Sequence, residues 1–176
     1  MDTVYVANDF YSDIVRTIAE TREPFVRIAN KESKHGPDAP YVLTEHGIIF
    51  GLPAVIDYLL HRISEPPLIH NDIRRRGLQL TVFWALVERE WPKLLEPDAG
   101  FAGKWLWDLS TQLRSSAFYA GDQFGLCDVA LEALLQHLQR SYGAVPHEAQ
   151  HYLHRCRQAV ALIKKRNEES VDANDD

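Results

Sequence analysis

His147-Glu148-Ala149-Gln150-His151 is the most conspicuous chemical pattern in the chain. Two histidines at i and i+4 share a helix face and can ligate one zinc ion, with the glutamate activating a water. His154 lies one further turn along. The context argues against that chemistry. The pattern follows Pro146 directly, so it opens a helix instead of sitting mid-helix behind a substrate strand. Extended zinc-protease patterns need a third histidine where this chain has Arg157, and only 25 residues follow His151. The histidines therefore read as polar positions on an exposed face, and no metal ligand or catalytic residue is assigned. Cys127 and Cys156 both fall at apolar helix positions and read as core thiols. Arg74-Arg75-Arg76 is a local basic run; it fits either a solvated helix start or a docking patch for an acidic protein.

The elements that must position these residues follow from periodicity. Thr3 to Ala7 is a β-branched and aromatic run, a strand by composition. Tyr11, Ile14, Val15, Ile18 and Ala19 share one helical face, and Pro24 stops that helix. Phe25 to Ile28 is a second strand. Asn30 to Ala39 is a polar loop or a single helical turn. Tyr41–Leu43 and Ile48–Phe50 form a hairpin around Glu45-His46-Gly47. Leu52, Val55, Ile56, Leu59 and Leu60 make another helical face, with Pro53 at its first position.

After Pro66-Pro67 the pattern becomes wholly helical. Ile73, Gly77, Leu80, Trp84, Val87, Trp91 and Leu94 predict one long stripe, kinked near Glu88 by Pro92. Phe101, Trp105, Leu109 and Leu113 predict another helix, with Trp107 off its stripe and open to solvent or an interface. Leu126 to Leu138 is apolar nearly all round, as expected of a helix buried in a bundle. Ala149, Tyr152, Leu153, Cys156, Val160 and Ile163 form a last amphipathic helix. Residues 166–176 lack apolar periodicity and are expected to be a disordered acidic tail. The domain expectation is thus 1–66, 67–165 and that tail.

Composition bounds the function. The chain has 176 residues, is 45% hydrophobic and carries a net charge of −6. Residues 1–66 hold 10 acids against 6 bases, and residues 67–176 hold 15 against 13. An acidic balance argues against direct nucleic-acid binding. No run is long and apolar enough for a membrane span, and the opening MDTVYVANDF lacks a basic signal region. A cytoplasmic protein is expected.

The order βαβ–ββα followed by helices is thioredoxin-like, and a bundle after it points to the glutathione-transferase architecture. At residue level the chain resembles glutathione transferases, and within them the stringent starvation protein A group. FYSDIVR (Phe10–Arg16), VEREWPKLL (Val87–Leu95) and YAGDQFGLCDVALEALL (Tyr119–Leu135) carry the resemblance, with Tyr58 to Gly77 following the family's linker. It implies an α/β thioredoxin-like domain with a shortened or missing second helix, then an all-α bundle. It implies a cis peptide before Pro40, and a structural capping role for Asp128 three residues after Gly125.

The resemblance also locates a cleft near Asp9, Tyr11, Ser12, Pro40, Gly51 and Leu52. Where the family holds the glutathione carboxylate with an acid–serine pair, this chain has Gly51-Leu52. Asp9 stands at the place of the family's cysteine, and an anion there raises a neighbouring thiol's pKa. Tyr5 or Ser12 would be the remaining thiolate donors. No cofactor is therefore expected. The implied role is a non-catalytic regulator bound to bacterial RNA polymerase holoenzyme through the sigma factor and the β′ subunit. A homodimer, or a heterodimer with a homologue, goes with that role. The group's proline-histidine-proline surface motif is replaced here by Ser64-Glu65-Pro66. Glu65, Pro66, Pro67, Arg74, Arg75 and Arg76 are the expected partner surface. A divergent transferase or thiol-dependent isomerase is the alternative.

Overall fold

The computed structural model describes residues 1–31, 37–62, 68–95, 99–119, 121–143 and 145–172. Contacts divide the chain into two compact units, Met1–Pro66 with Val160–Asp176, and Pro67–Ala159.

The first unit is built on four strands, β1 (Asp2–Val6), β2 (Val26–Asn30), β3 (Tyr41–Thr44) and β4 (Gly47–Phe50), ordered β2-β1-β3-β4. β1 runs parallel to β2 and antiparallel to β3, with Val4 opposite both Ile28 and Val42. The parallel pair requires a crossover, which α1 (Phe10–Glu20) supplies. Alternation along β1 buries Val4 and Val6. Ile14, Val15 and Ile18 of α1 are buried too, as are Val55, Ile56 and Leu59 of α2 (Leu52–Arg62). The sequence face begins one residue off: Phe10 is buried, whereas Tyr11 is 40% exposed. The peptide bonds before Pro24 and Pro40 are both cis. The expected shortened or missing second helix falls largely on residues 32–36, outside the described residues.

The second unit begins with α3 (Ile73–Ala85), capped by the Asp72 carboxylate accepting from Arg75 N–H. A π turn (Leu86–Glu90) and α4 (Trp91–Leu95) follow. Pro92 has no N–H for the Glu88 carbonyl, and the ladder widens just before it, where Trp91 N–H bonds Leu86 O. The predicted single stripe is corrected here. Ile73 is 82% exposed and Gly77 is exposed, whereas Phe83, Leu86, Val87, Trp91 and Leu94 are buried. The stripe stays buried through Val87, Trp91 and Leu94, across the wider turn, and it is the first turns of α3 that lie open.

α5 (Ala99–Leu113) buries Leu109 and Leu113 and leaves Trp107 71% exposed. α6 (Leu126–Tyr142) is buried continuously from Leu126 to Leu135, as its all-round apolar pattern requires. It ends at Gly143, whose φ of +81° suits glycine. Asp128 is fully buried; it accepts from the Gly125 and Tyr119 amides at 2.8 and 2.7 Å and from the Tyr152 hydroxyl at 2.5 Å.

α7 runs from His147 to Asp172 and overturns the disordered tail expected from Arg166. Its last turns are fastened by polar groups that an apolar pattern cannot reveal. Asn167 is buried and donates to the Thr21 carbonyl, an orphan at the end of α1, at 2.8 Å. Lys164 pairs with Glu23.

Candidate functional site

The cleft beside Pro40 lies wholly in the first unit. Tyr11 from the start of α1, Pro37 to Pro40 ahead of β3, and Phe50, Gly51 and Leu52 at the β4–α2 junction enclose about 490 Å³. The structure therefore brings together four of the expected residues, Tyr11, Pro40, Gly51 and Leu52. Asp9 and Ser12 do not line it. Asp9 caps α1, accepting from Ser12 N–H at 2.8 Å and from Ser12 Oγ at 3.0 Å. The buried Ser12 Oγ accepts in turn from Ala7 N–H at 2.9 Å. That corrects the expected cleft: both polar groups are consumed in a helix cap. Tyr5 stacks on Tyr41 at 4.8 Å between ring centroids. Pro37, Asp38, Ala39 and Phe50 are walls that the sequence reading missed, although each lies within three residues of Pro40 or Gly51 in the chain.

The chemistry of the cleft follows from its lining. A helix N-terminus holds an anion through free amides and a capping side chain. At α2 that end is Leu52-Pro53-Ala54, where Pro53 has no N–H and Leu52 has no hydrogen-bonding side chain. Gly51 has a φ of +85°. Among the described residues the charged side chain in the wall is Asp38, which repels a carboxylate, although Lys31 lies 3.6 Å from it.

The expected partner surface is described in part. Glu65, Pro66 and Pro67 lie outside the described residues. Arg74 and Arg75 are exposed and Arg76 is half-buried. Arg75 reaches His70 Nε2 at 3.1 Å. Ile73 and Leu78 (69% exposed) flank these arginines, so the start of α3 is both basic and apolar.

At the start of α7, His147 and His151 meet at 2.9 Å between Nε2 atoms. Glu148, the water-activating residue of a zinc site, instead accepts from Arg114 Nη2 at 2.7 Å. Its own backbone N–H and Arg114 hold its carboxyl below the usual range, which makes it a poor base. Among the described residues no three metal-ligating groups converge. Cys127 and Cys156 are free and buried; burial pushes the Cys127 thiol up to about 12 and Cys156 upward as well. Among the described residues no helix is long and apolar enough to cross a membrane.

No protein-family profile and no curated protein matches the chain. Solved structures do. A glutathione transferase homologue from Burkholderia GL BGR1 with bound glutathione is 19% identical, with a TM-score of 0.63 over 96% of this chain and 98% of that one. A glutathione transferase from Methylococcus capsulatus str. Bath gives 17% and 0.67, covering 94% and 98%. FzlA from C. crescentus gives 18% and 0.66, covering 90% and 91%. The chain has the glutathione-transferase fold: a thioredoxin-like four-stranded domain and a C-terminal helical domain.

Proposed function

We propose that this chain is a non-catalytic binding protein on the glutathione-transferase fold, a stringent starvation protein A-like regulator that associates with bacterial RNA polymerase holoenzyme. The observation that carries the non-catalytic part is the Gly51-Leu52-Pro53 end of α2. It offers a glutathione carboxylate no side-chain donor and one amide fewer, opposite the anionic Asp38. The partner reading rests on the Phe10–Arg16 and Val87–Leu95 resemblance. The exposed basic and apolar start of α3 supports it as a protein-facing surface. Contact is made with the sigma factor and the β′ subunit, through Arg74, Arg75, Arg76 and the neighbouring Glu65-Pro66-Pro67, in a dimer in the cytoplasm.

A tagged pull-down from the native host tests the partner. Polymerase subunits are recovered at mild salt with the unmodified chain, and recovery drops with Arg74→Glu/Arg75→Glu. Absence of the subunits with the unmodified chain defeats this reading. Retention on a glutathione column, with release by free glutathione, would instead favour the divergent transferase.

A further inference from the structure

The second unit contains a groove that the proposed function does not use. It lies between α3 with its π turn and α5, encloses about 340 Å³, and is formed entirely within residues 67–159. Small-ligand sites are concave and mostly apolar, with a few converging polar groups. This groove has that make-up. Leu86 and Leu109 are buried in it, Trp105 supplies an aromatic wall, and Tyr119 closes one side. The charged groups among its lining residues are two carboxylates, Glu90 and Asp108; among the described residues no lysine or arginine lines it.

The π turn accounts for part of this arrangement. A regular α-helix would carry Glu90 round past the line of Val82 and Leu86. The wider turn takes about one residue more to come round, so Glu90 falls back onto that line. Lys93, which does not line the groove, pairs with Glu90 at 3.1 Å. Asp108 has no ion pair or hydrogen bond among the described residues, which leaves its carboxylate as the anchoring charge. An anionic groove with an indole wall favours a cation that carries apolar surface, because the charge meets the carboxylate and the ring.

From this we infer that the α3–α5 groove is a binding site for a small organic cation, an amine on an apolar or aromatic body, anchored by Asp108 and Trp105. This does not depend on the polymerase reading. The test uses three probes that share a phenylethyl frame, on the full chain: 2-phenylethylamine, neutral 2-phenylethanol and anionic 3-phenylpropanoate. Binding is followed by calorimetry and by the tryptophan indole resonances, with Trp105→Phe identifying the Trp105 signal. The amine should bind saturably and about tenfold more tightly than the alcohol, the anion weakest, with Trp105 the indole most shifted. Asp108→Asn, at an exposed position, should bring amine and alcohol within about twofold while leaving the alcohol's affinity unchanged. Equal affinities for the three probes, or a preference for the amine that survives Asp108→Asn, would overturn the assignment. So would light scattering that shows a dimer from which the amine is excluded, since a second copy would then occupy the groove.

Discussion

Asp128 shows how one residue can be readable in kind and unreadable in extent. Its place three residues after Gly125 announces a cap, and the Gly125 amide does bond it. Nothing in the spacing announces the Tyr119 amide and the Tyr152 hydroxyl, which arrive from other segments. Asp128→Asn puts an NH₂ among donors and strands at least one of them, so a loss of about 2–3 kcal/mol in urea unfolding is expected. Burial raises the Asp128 pKa, against the pull of Tyr152 and the two amides. The folded state then holds the proton more tightly than the unfolded chain, and stability from this group falls as pH rises from the ordinary carboxylate range to the raised value. Asn cannot ionise, so the gap between wild type and Asp128→Asn should narrow from pH 4.5 to 7; a widening gap would contradict the shift. The two thiols give a simpler check. With Cys127 pushed to about 12, native protein at pH 8 should show no fast-reacting thiol toward a disulfide reagent, and two in guanidinium. Asp9 marks the limit of reading residues by position. Alignment puts it at a thiol's place, whereas Asp-x-x-Ser is equally a helix cap, and only the geometry chooses.

Among the elements, those with an unbroken apolar period were legible: β1, α6 and the buried face of α7 needed little beyond counting. α3 departs from the predicted stripe in its first turns, well before the π turn, because an apolar stripe identifies a face and not what covers it. Ile73 belongs to the predicted stripe and still lies open to solvent, as does Leu78 off that stripe. The β4–α2 junction was legible in its residues, Gly51-Leu52-Pro53, but not in its backbone. Gly51 takes a φ of +85°, and no atom lies within 4 Å of the point a Cβ would occupy, so a side chain there meets a conformational cost and no clash. Gly51→Ala should therefore lower stability by about 1–2 kcal/mol, measured by thermal or urea unfolding. A neutral result would mean that the junction relaxes to negative φ.

At the scale of the whole molecule, the C-terminal half of α7 belongs with the first unit although it is last in the chain. Sequence order and the acidic composition after Lys165 both suggested the opposite, since fastening by Asn167 and Lys164 leaves no hydrophobic trace. Val160 and Ile163 are both 8% exposed, and Asn167 is 5% exposed. Each aliphatic side chain contributes about 1.5–3 kcal/mol of burial. The Asn167–Thr21 bond adds about 1 kcal/mol, so ordering this segment is worth roughly 4–7 kcal/mol. That is comparable to the low end of a domain's whole stability, about 5–15 kcal/mol. A chain ending at Ala159 should therefore lose the protection of the β1 amides against hydrogen exchange, while those of α6, buried inside the second unit, exchange slowly still. Asn167→Ala is the milder form of the same experiment: it should cost about 1–2 kcal/mol and speed exchange first at the end of α7. If β1 stays protected in the truncated chain, residues 1–66 hold their fold without the helix, and the tail's order is a consequence of the fold and not one of its supports.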